Sequence, residues 1–200
     1  INPLLSRINQ TTSDVWGKEI RKVAPYGING GIGAGTETGD LPTSAENNYE
    51  QFVLTLKNLY GRLEISDKAI RASENSAGAF VNLLTSEMEG LVKASAFNFG
   101  RMLYGDGTGK LATISDNDTN FVTVDGTKNL IEGMVVDIMS STGTVVKSGL
   151  RIKAIDQASK KVTFTTAPLT KNALKDASNI LCVQGSYNNE ITGLGAIFKT

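Results

Sequence analysis

Hydrophobic positions along this chain change their spacing three times. Leu4, Leu5, Ile8, Val15, Trp16, Ile20 and Val23 recur at helical spacing, with Asn2 able to cap and Pro3 where a helix tolerates proline. This predicts an amphipathic helix over 2–24, weakened at Thr11, Thr12 and Ser13 and ended by Pro25-Tyr26-Gly27. Over 50–66 the period drops to two. Phe52, Leu54 and Leu56 share one face, then Leu59, Leu63 and Ile65 continue on the other, so a strand with a bulge or bend near Asn58 and Gly61 is expected. Between these segments, six glycines within residues 27–39 cannot pack a core and predict an extended excursion, with 50–66 as its return limb.

The strongest periodicity lies at 76–104. Phe80, Leu83, Leu84, Met88, Leu91, Val92, Phe99, Met102 and Leu103 hold a 3.6-residue period, capped by Asn75 or Ser76 and stopped by Gly105. Such a helix is roughly 40 Å long, enough to be the spine of a domain. After the turn Gly105-Asp-Gly-Thr-Gly109 the pattern becomes short strands: 121–124, 134–139, 144–146 with 150–155, 161–166 and 179–184. Turns at Asp125-Gly126, Ser141–Gly143, Asp156–Ser159 and Pro168 separate them, and short regular strands of this kind favour a small closed or nearly closed barrel. Its expected core is Val122, Val124, Val135, Ile138, Val145, Ile152, Ile155, Val162, Phe164, Ile180 and Leu181.

Composition narrows the chemistry. The 200 residues carry 20 basic and 20 acidic side chains, so no bulk field holds the chain on nucleic acid. Without histidine no Ser-His-Asp or Cys-His centre can be built, and the single Cys182 allows neither an internal disulfide nor a zinc cluster. No apolar run reaches the roughly 18 residues that span a bilayer, and no signal-peptide pattern opens the chain.

Glycine-rich stretches invite a nucleotide reading, and both fail it. Gly105–Lys110 ends in Gly-Lys, but Leu111 replaces the Ser/Thr, Tyr104 replaces the first glycine, and the segment follows a helix. Gly31-Ile-Gly33-Ala-Gly35 lacks the third glycine of a dinucleotide fingerprint, which is Thr36. Asp116-Asn-Asp118-Thr-Asn120 alternates oxygen ligands like a calcium loop, but Phe121 replaces the glycine and Thr127 the closing glutamate. Glu87 and Glu89 sit two apart on a helix, facing different directions, and Cys182 lies in an apolar strand as an inert thiol. The residues offer no catalytic, cofactor or metal site.

The order of arm, glycine-rich loop with return strand, spine helix and Gly-Asp-Gly-Thr-Gly turn resembles the major capsid proteins of tailed bacteriophages, the Hong Kong 97-type fold. Phe52–Ile70, Ala79–Tyr104 with Gly105–Gly109, and Thr192–Ile197 carry the resemblance, over about three fifths of the chain. It implies an α+β fold with an N-terminal arm (1–26), an extended loop (27–62) and a peripheral domain (63–111). A barrel-like insertion (112–190) and a return to the capsid core (191–200) complete it. Insertion at a surface turn is thermodynamically mild, because closure entropy grows only with the logarithm of length.

The resemblance also implies an axial domain after residue 200, so the chain, which opens at Ile1, reads as a fragment. It implies a non-enzymatic virion protein, made in the bacterial cytoplasm and assembling with itself into hexamers and pentamers of an icosahedral shell. The shell would enclose double-stranded DNA, touched non-specifically, with scaffolding, portal or decoration proteins as further partners and no membrane contact. Candidate inter-subunit contacts are Arg7, Trp16, Lys18, Arg21 and Lys22 on the arm, and Glu37, Asp40, Glu46 and Glu50 on the loop. The arm has net charge +2 and residues 27–60 net −3, a complementarity suited to register between neighbours. The only lysine between 23 and 61 is Lys57, far from the loop tip, so no covalent cross-link is expected. An encapsulin-type compartment would share this fold. A β module binding carbohydrate or another ligand, on a helical stalk, is the reading from a different class.

Overall fold

The computed structural model describes residues 3–10, 15, 17–73, 77–166, 170–174 and 178–198. The expected Asn2 cap, the break at 11–13, Trp16, the Asn75 or Ser76 cap and the Pro168 turn lie outside these residues. The chain divides into two compact units, Ile1–Leu56 and Lys57–Thr200, and it is mixed α and β, mostly sheet.

In the first unit the expected helix over 2–24 is overturned. Only a turn forms at its start, where the Arg7 and Ile8 amides donate to the Leu4 carbonyl at 3.0 and 3.2 Å. Gly17 has φ of 67°, which ends any helix, and Glu19–Tyr26 is a strand, β1. It pairs antiparallel with Asn48–Thr55, β2, in continuous register from Glu19 opposite Thr55 to Tyr26 opposite Asn48. A partner strand about thirty residues downstream decides the conformation, and local helical spacing contains no information about it. The return strand is shorter than expected, ending at Thr55, and residues 56–66 form no regular element. The glycine-rich excursion is a ribbon with two limbs. Gly31 lies beside Ser44 and Ala45, Gly33 beside Pro42, and the limbs meet in a turn where the Gly39 amide donates to the Thr36 carbonyl.

The second unit begins with Asp67–Ser73, α1, and Ala77–Tyr104, α2. Helix α2 occupies the span that its periodicity predicts, and Gly105 stops it, its amide reaching back to the Met102 carbonyl. The expected apolar stripe is less buried than a core helix requires. Leu84 and Leu91 are half-buried, whereas Met88 and Val92 are 53% and 67% exposed. Burial rises toward the C-terminal turns, and Met102 is buried.

Six strands then close into a barrel: β3 (Lys110–Asn117), β4 (Phe121–Val124), β5 (Val135–Met139), β6 (Val145–Asp156), β7 (Lys161–Phe164) and β8 (Ile180–Val183). Their order around the wall is β3-β4-β7-β6-β5-β8, so they do not close in sequence order. Two strands serve as corners. β3 pairs with β8 through Lys110–Thr113 and with β4 through Ile114–Asn117, while β6 pairs first with β5 and then with β7. Bulges let one strand bend between two walls. At the β6 bend Gly149 takes φ of 74°, and the Asp137 carboxylate holds it by accepting from the Gly149 amide and the Ser148 hydroxyl.

Side chains fill the barrel. Val122, Val136, Ile138, Val162 and Leu181 have no exposed surface, and Val124, Ile152 and Phe164 pack with them. Four expected core residues differ: Val145 is exposed, and Val135, Ile155 and Ile180 are half-buried, Ile155 packing against the core from outside it. Leu111, Ala112, Ile114, Leu130, Leu150 and Leu174 enter the core instead. A four-residue helix, α3 (Leu194–Ile197), follows the barrel.

Candidate self-association surface

Alternation along β1 and β2, combined with their register, sorts the hairpin's side chains onto two faces. One face carries Ile20 with Leu54, Lys22 with Phe52 and Ala24 with Glu50; the other carries Arg21 with Val53, Val23 with Gln51 and Pro25 with Tyr49. Neither face is a polar exterior. Val23, Tyr49, Phe52, Val53 and Leu54 are each at least half exposed, and every residue of β2 is exposed. A two-stranded ribbon is marginal in water on its own, so apolar side chains on both faces mark a surface that gains stability when covered. Sequence reading found Phe52 and Leu54 by their alternation but assigned Val23 to a helix, so it missed the second face.

The candidate contact residues fall into three places. Arg7 lies in the opening turn, exposed, and Lys18 precedes β1, where its carbonyl accepts from the Leu56 amide at 3.1 Å. Arg21, Lys22 and Glu50 lie within the hairpin: Arg21 is engaged by Glu19 at 3.3 Å, and Lys22 shares a face with Glu50. Glu37, Asp40 and Glu46 lie on the ribbon beyond it, all exposed. Three of these charges, Arg21, Lys22 and Glu50, therefore sit on two strands of one hairpin and not on two separate elements. Residues 27–47 hold these three acids and no base, beside Ile28, Ile32 and Leu41 at 89%, 91% and 91% exposure.

The second unit holds a different feature, a cleft of about 770 Å³ between α2 and the barrel wall. Leu63, Leu91, Phe97 and Met134 contribute apolar surface, and Arg62, Lys93 and Arg151 face it together with Glu87 and Glu132. Two of these charges are already engaged: Arg62 pairs with Glu64 at 2.8 Å, and Glu132 accepts from the Ile155 amide.

Several polar groups inside the second unit have structural partners. The Asp137 carboxylate takes the Gly149 and Gly185 amides and the Ser148 hydroxyl, which tie β5 to the β6 bend and to the turn after β8. Asn117 is buried and bridges the Leu174 amide and the Thr170 carbonyl, holding the β7–β8 connection. Asp118, in the calcium-like stretch, is engaged by Lys171 at 3.2 Å. The Thr119 amide and then Lys171 draw its pKa below the ordinary carboxylate value. Burial pushes the Cys182 thiol up to about 12, so it is neither a nucleophile nor a ligand at neutral pH. Among the described residues no group of three or more acids or cysteines could hold a metal ion, and no helix is long and apolar enough to cross a membrane.

Where the chain enters and leaves the barrel, the two connections are locked together. The Asn188 amide donates to the Thr108 carbonyl, and Lys57 Nζ donates to the Asn188 carbonyl. Gly193 presses on the end of α2 so closely that a Cβ there would collide with the Met102 and Leu103 carbonyl oxygens. Comparison with protein-family models, with curated proteins and with solved structures finds no match to this chain.

Proposed function

We propose that this chain is a shell-forming structural protein, the major capsid protein of a tailed bacteriophage or prophage, acting by geometry and without catalysis. The observation that carries the proposal is the β1–β2 hairpin, with apolar side chains exposed on both faces and an acidic ribbon at its end. Apolar surface of that kind is stabilised by a neighbouring copy, each fully covered Leu, Val or Phe contributing about 1.5–3 kcal/mol. The resemblance of Phe52–Ile70, Ala79–Gly109 and Thr192–Ile197 to Hong Kong 97-type capsid proteins supports the same reading. So does the adjacency of residues 105–110 and 184–193, the arrangement expected when a barrel is inserted at one turn of a host domain. In this reading copies associate as hexamers and pentamers of a closed icosahedral shell, and the neutral chain touches packaged DNA only non-specifically.

Negative-stain microscopy and sedimentation velocity of protein containing this chain test the proposal. Closed particles support a shell, and nucleic acid within them distinguishes a capsid from an encapsulin-type compartment. A protein that stays monomeric at every concentration sinks both readings. The cleft between α2 and the barrel favours a second reading, a ligand-binding β module on a helical stalk, which a glycan array would detect as saturable binding.

A further inference from the structure

We propose that Asn29 is a site of spontaneous covalent modification, converted to aspartate and isoaspartate by the backbone of its own loop. Asn29-Gly30 is the only Asn-Gly pair in the chain, and both residues are exposed on the first limb of the ribbon. The Gly31 amide donates to Asn29 Oδ1 at 2.9 Å. The ring closed by that hydrogen bond contains both Asn29 Cγ and the Gly30 nitrogen, so the turn holds the electrophilic carbon in the same small ring as the nitrogen that attacks it. The same donor sits on the oxygen where negative charge develops during addition. Gly30 has no side chain to obstruct the approach, and a Cβ there would lie 3.5 Å from Ala45 Cβ.

The step needs only water. The Gly30 nitrogen gives its proton to solvent and bonds to Asn29 Cγ; the Cγ–Nδ2 bond breaks, and Nδ2 leaves as ammonia with a proton from solvent. Water then opens the cyclic imide at either carbonyl. One opening gives aspartate, and the other gives isoaspartate, with the main chain rerouted through Cγ. The net change is asparagine plus water to an acid plus ammonia. No other asparagine precedes a glycine: Asn47 and Asn189 precede residues with side chains, and Asn117 is also buried with both ends of its amide engaged. The new carboxylate joins Glu37, Asp40 and Glu46 on a segment without a base. Resting on the self-association reading, the conversion acts as a slow timer that weakens contact through this ribbon.

Peptide mapping by mass spectrometry during incubation of the purified protein, at neutral and mildly alkaline pH, tests the chemistry. Asn29 should gain the mass of an amide-to-acid exchange several-fold faster than Asn47 or Asn189, and faster as pH rises. Gly30→Val should slow it several-fold. Retention of the Asn29 amide while Asn47 or Asn189 converts, or Gly30→Val converting at the wild-type rate, overturns the assignment. Sedimentation of converted protein separates the two parts of the proposal. Weaker association supports the timer, and unchanged association of an assembling protein overturns the timer alone. Failure of unconverted protein to associate overturns the capsid reading and leaves the chemistry standing.

Discussion

Arg101 and Glu190, 89 residues apart in sequence, meet as a two-armed ion pair, with Nη1 donating to Oε2 at 2.9 Å and Nη2 donating to Oε1. Their side chains are 7% and 2% exposed. The pair joins the last turn of α2 to the segment leaving the barrel, beside the tight crossing at Gly193. Its value lies in what each partner prevents in the other, because a lone buried charge is far more costly than a buried pair is beneficial.

Glu190→Leu should therefore destabilise the second unit by about 3–5 kcal/mol, since Arg101 is left buried without a counter-charge. Arg101→Met combined with Glu190→Leu should recover most of that loss. Urea unfolding followed by circular dichroism checks both. A double variant no more stable than the single one would show that shape at this crossing, and not charge, governs the effect.

On the hairpin, Phe52→Ser and Val23→Ser act on opposite faces of one ribbon. Both side chains are more than half exposed, so neither change should shift the melting of the barrel. Each should weaken self-association, with the double variant weaker than either. Sedimentation velocity reads association and calorimetry reads melting. Association that survives both substitutions removes the hairpin from the interface.

Acid should loosen the barrel through three carboxylates whose pKa values lie below the ordinary 3.8. At Asp125 burial is the largest single influence and pushes upward, but the Thr113 amide, donating at 2.8 Å, the Thr113 side chain, the Lys110 charge and the Gly126 amide together outweigh it. At Asp156 the Ser159 hydroxyl leads, and at Asp118 the Thr119 amide. A depressed folded pKa means that the unfolded chain binds more protons in this window. The stabilisation is complete above the ordinary value and is lost as pH falls through the folded one. Melting temperature should stay level from neutrality to about pH 5 and drop below about pH 4. Asp125→Asn should shorten that acid limb; an unchanged limb would assign it to other groups.

Cys182 runs the other way. Burial, reinforced by the Asp137 and Glu190 carboxylates, raises its thiol from 9.0 to about 12. Its contribution is present below the ordinary value and is lost as pH rises through the folded one. In native protein the thiol should resist alkylation at mildly alkaline pH and react once urea opens the barrel. Prompt native labelling would mean that the barrel opens locally at β8.

What the sequence disclosed follows the range of the forces involved. Helix α2 and strand β4 were legible because their periodicity is local and strong. β6 was read as two strands: Lys147, Ser148 and Gly149 look like a break, yet Asp137 supplies the hydrogen bonds that carry the strand through it. β3 was missed because Asp116-Asn117-Asp118 reads as a loop, although Leu111, Ala112 and Ile114 feed the core. Leu130 and Leu174 reach that core from connections, where no period exists to mark them. At the hairpin the charged candidates were visible one by one, but their placement depends on a register between strands that no local window contains. Arg101 and Glu190 gave no signal at all, because nothing in sequence distinguishes a buried pair from two surface charges.

The cut that isolates the barrel must respect these contacts. Taking residues 112–190 alone would discard Lys110, which pairs with Cys182, and Leu111, which lies in the core. It would also carry off Glu190 and leave Arg101 buried without its partner in the remainder. A fragment of 108–189 keeps all six strands, the Gly185 amide on Asp137 and the Asn188–Thr108 hydrogen bond that joins its ends. It should fold alone, with marginal stability, because about 80 residues bury a limited core. Deleting the barrel while keeping Glu190, with a short glycine linker from Gly107, should leave α2 helical. Circular dichroism decides both: the 108–189 fragment should give a β spectrum with a cooperative melt, and 112–190 should melt lower. A coil spectrum from 108–189 would show that the barrel needs the end of α2 to close.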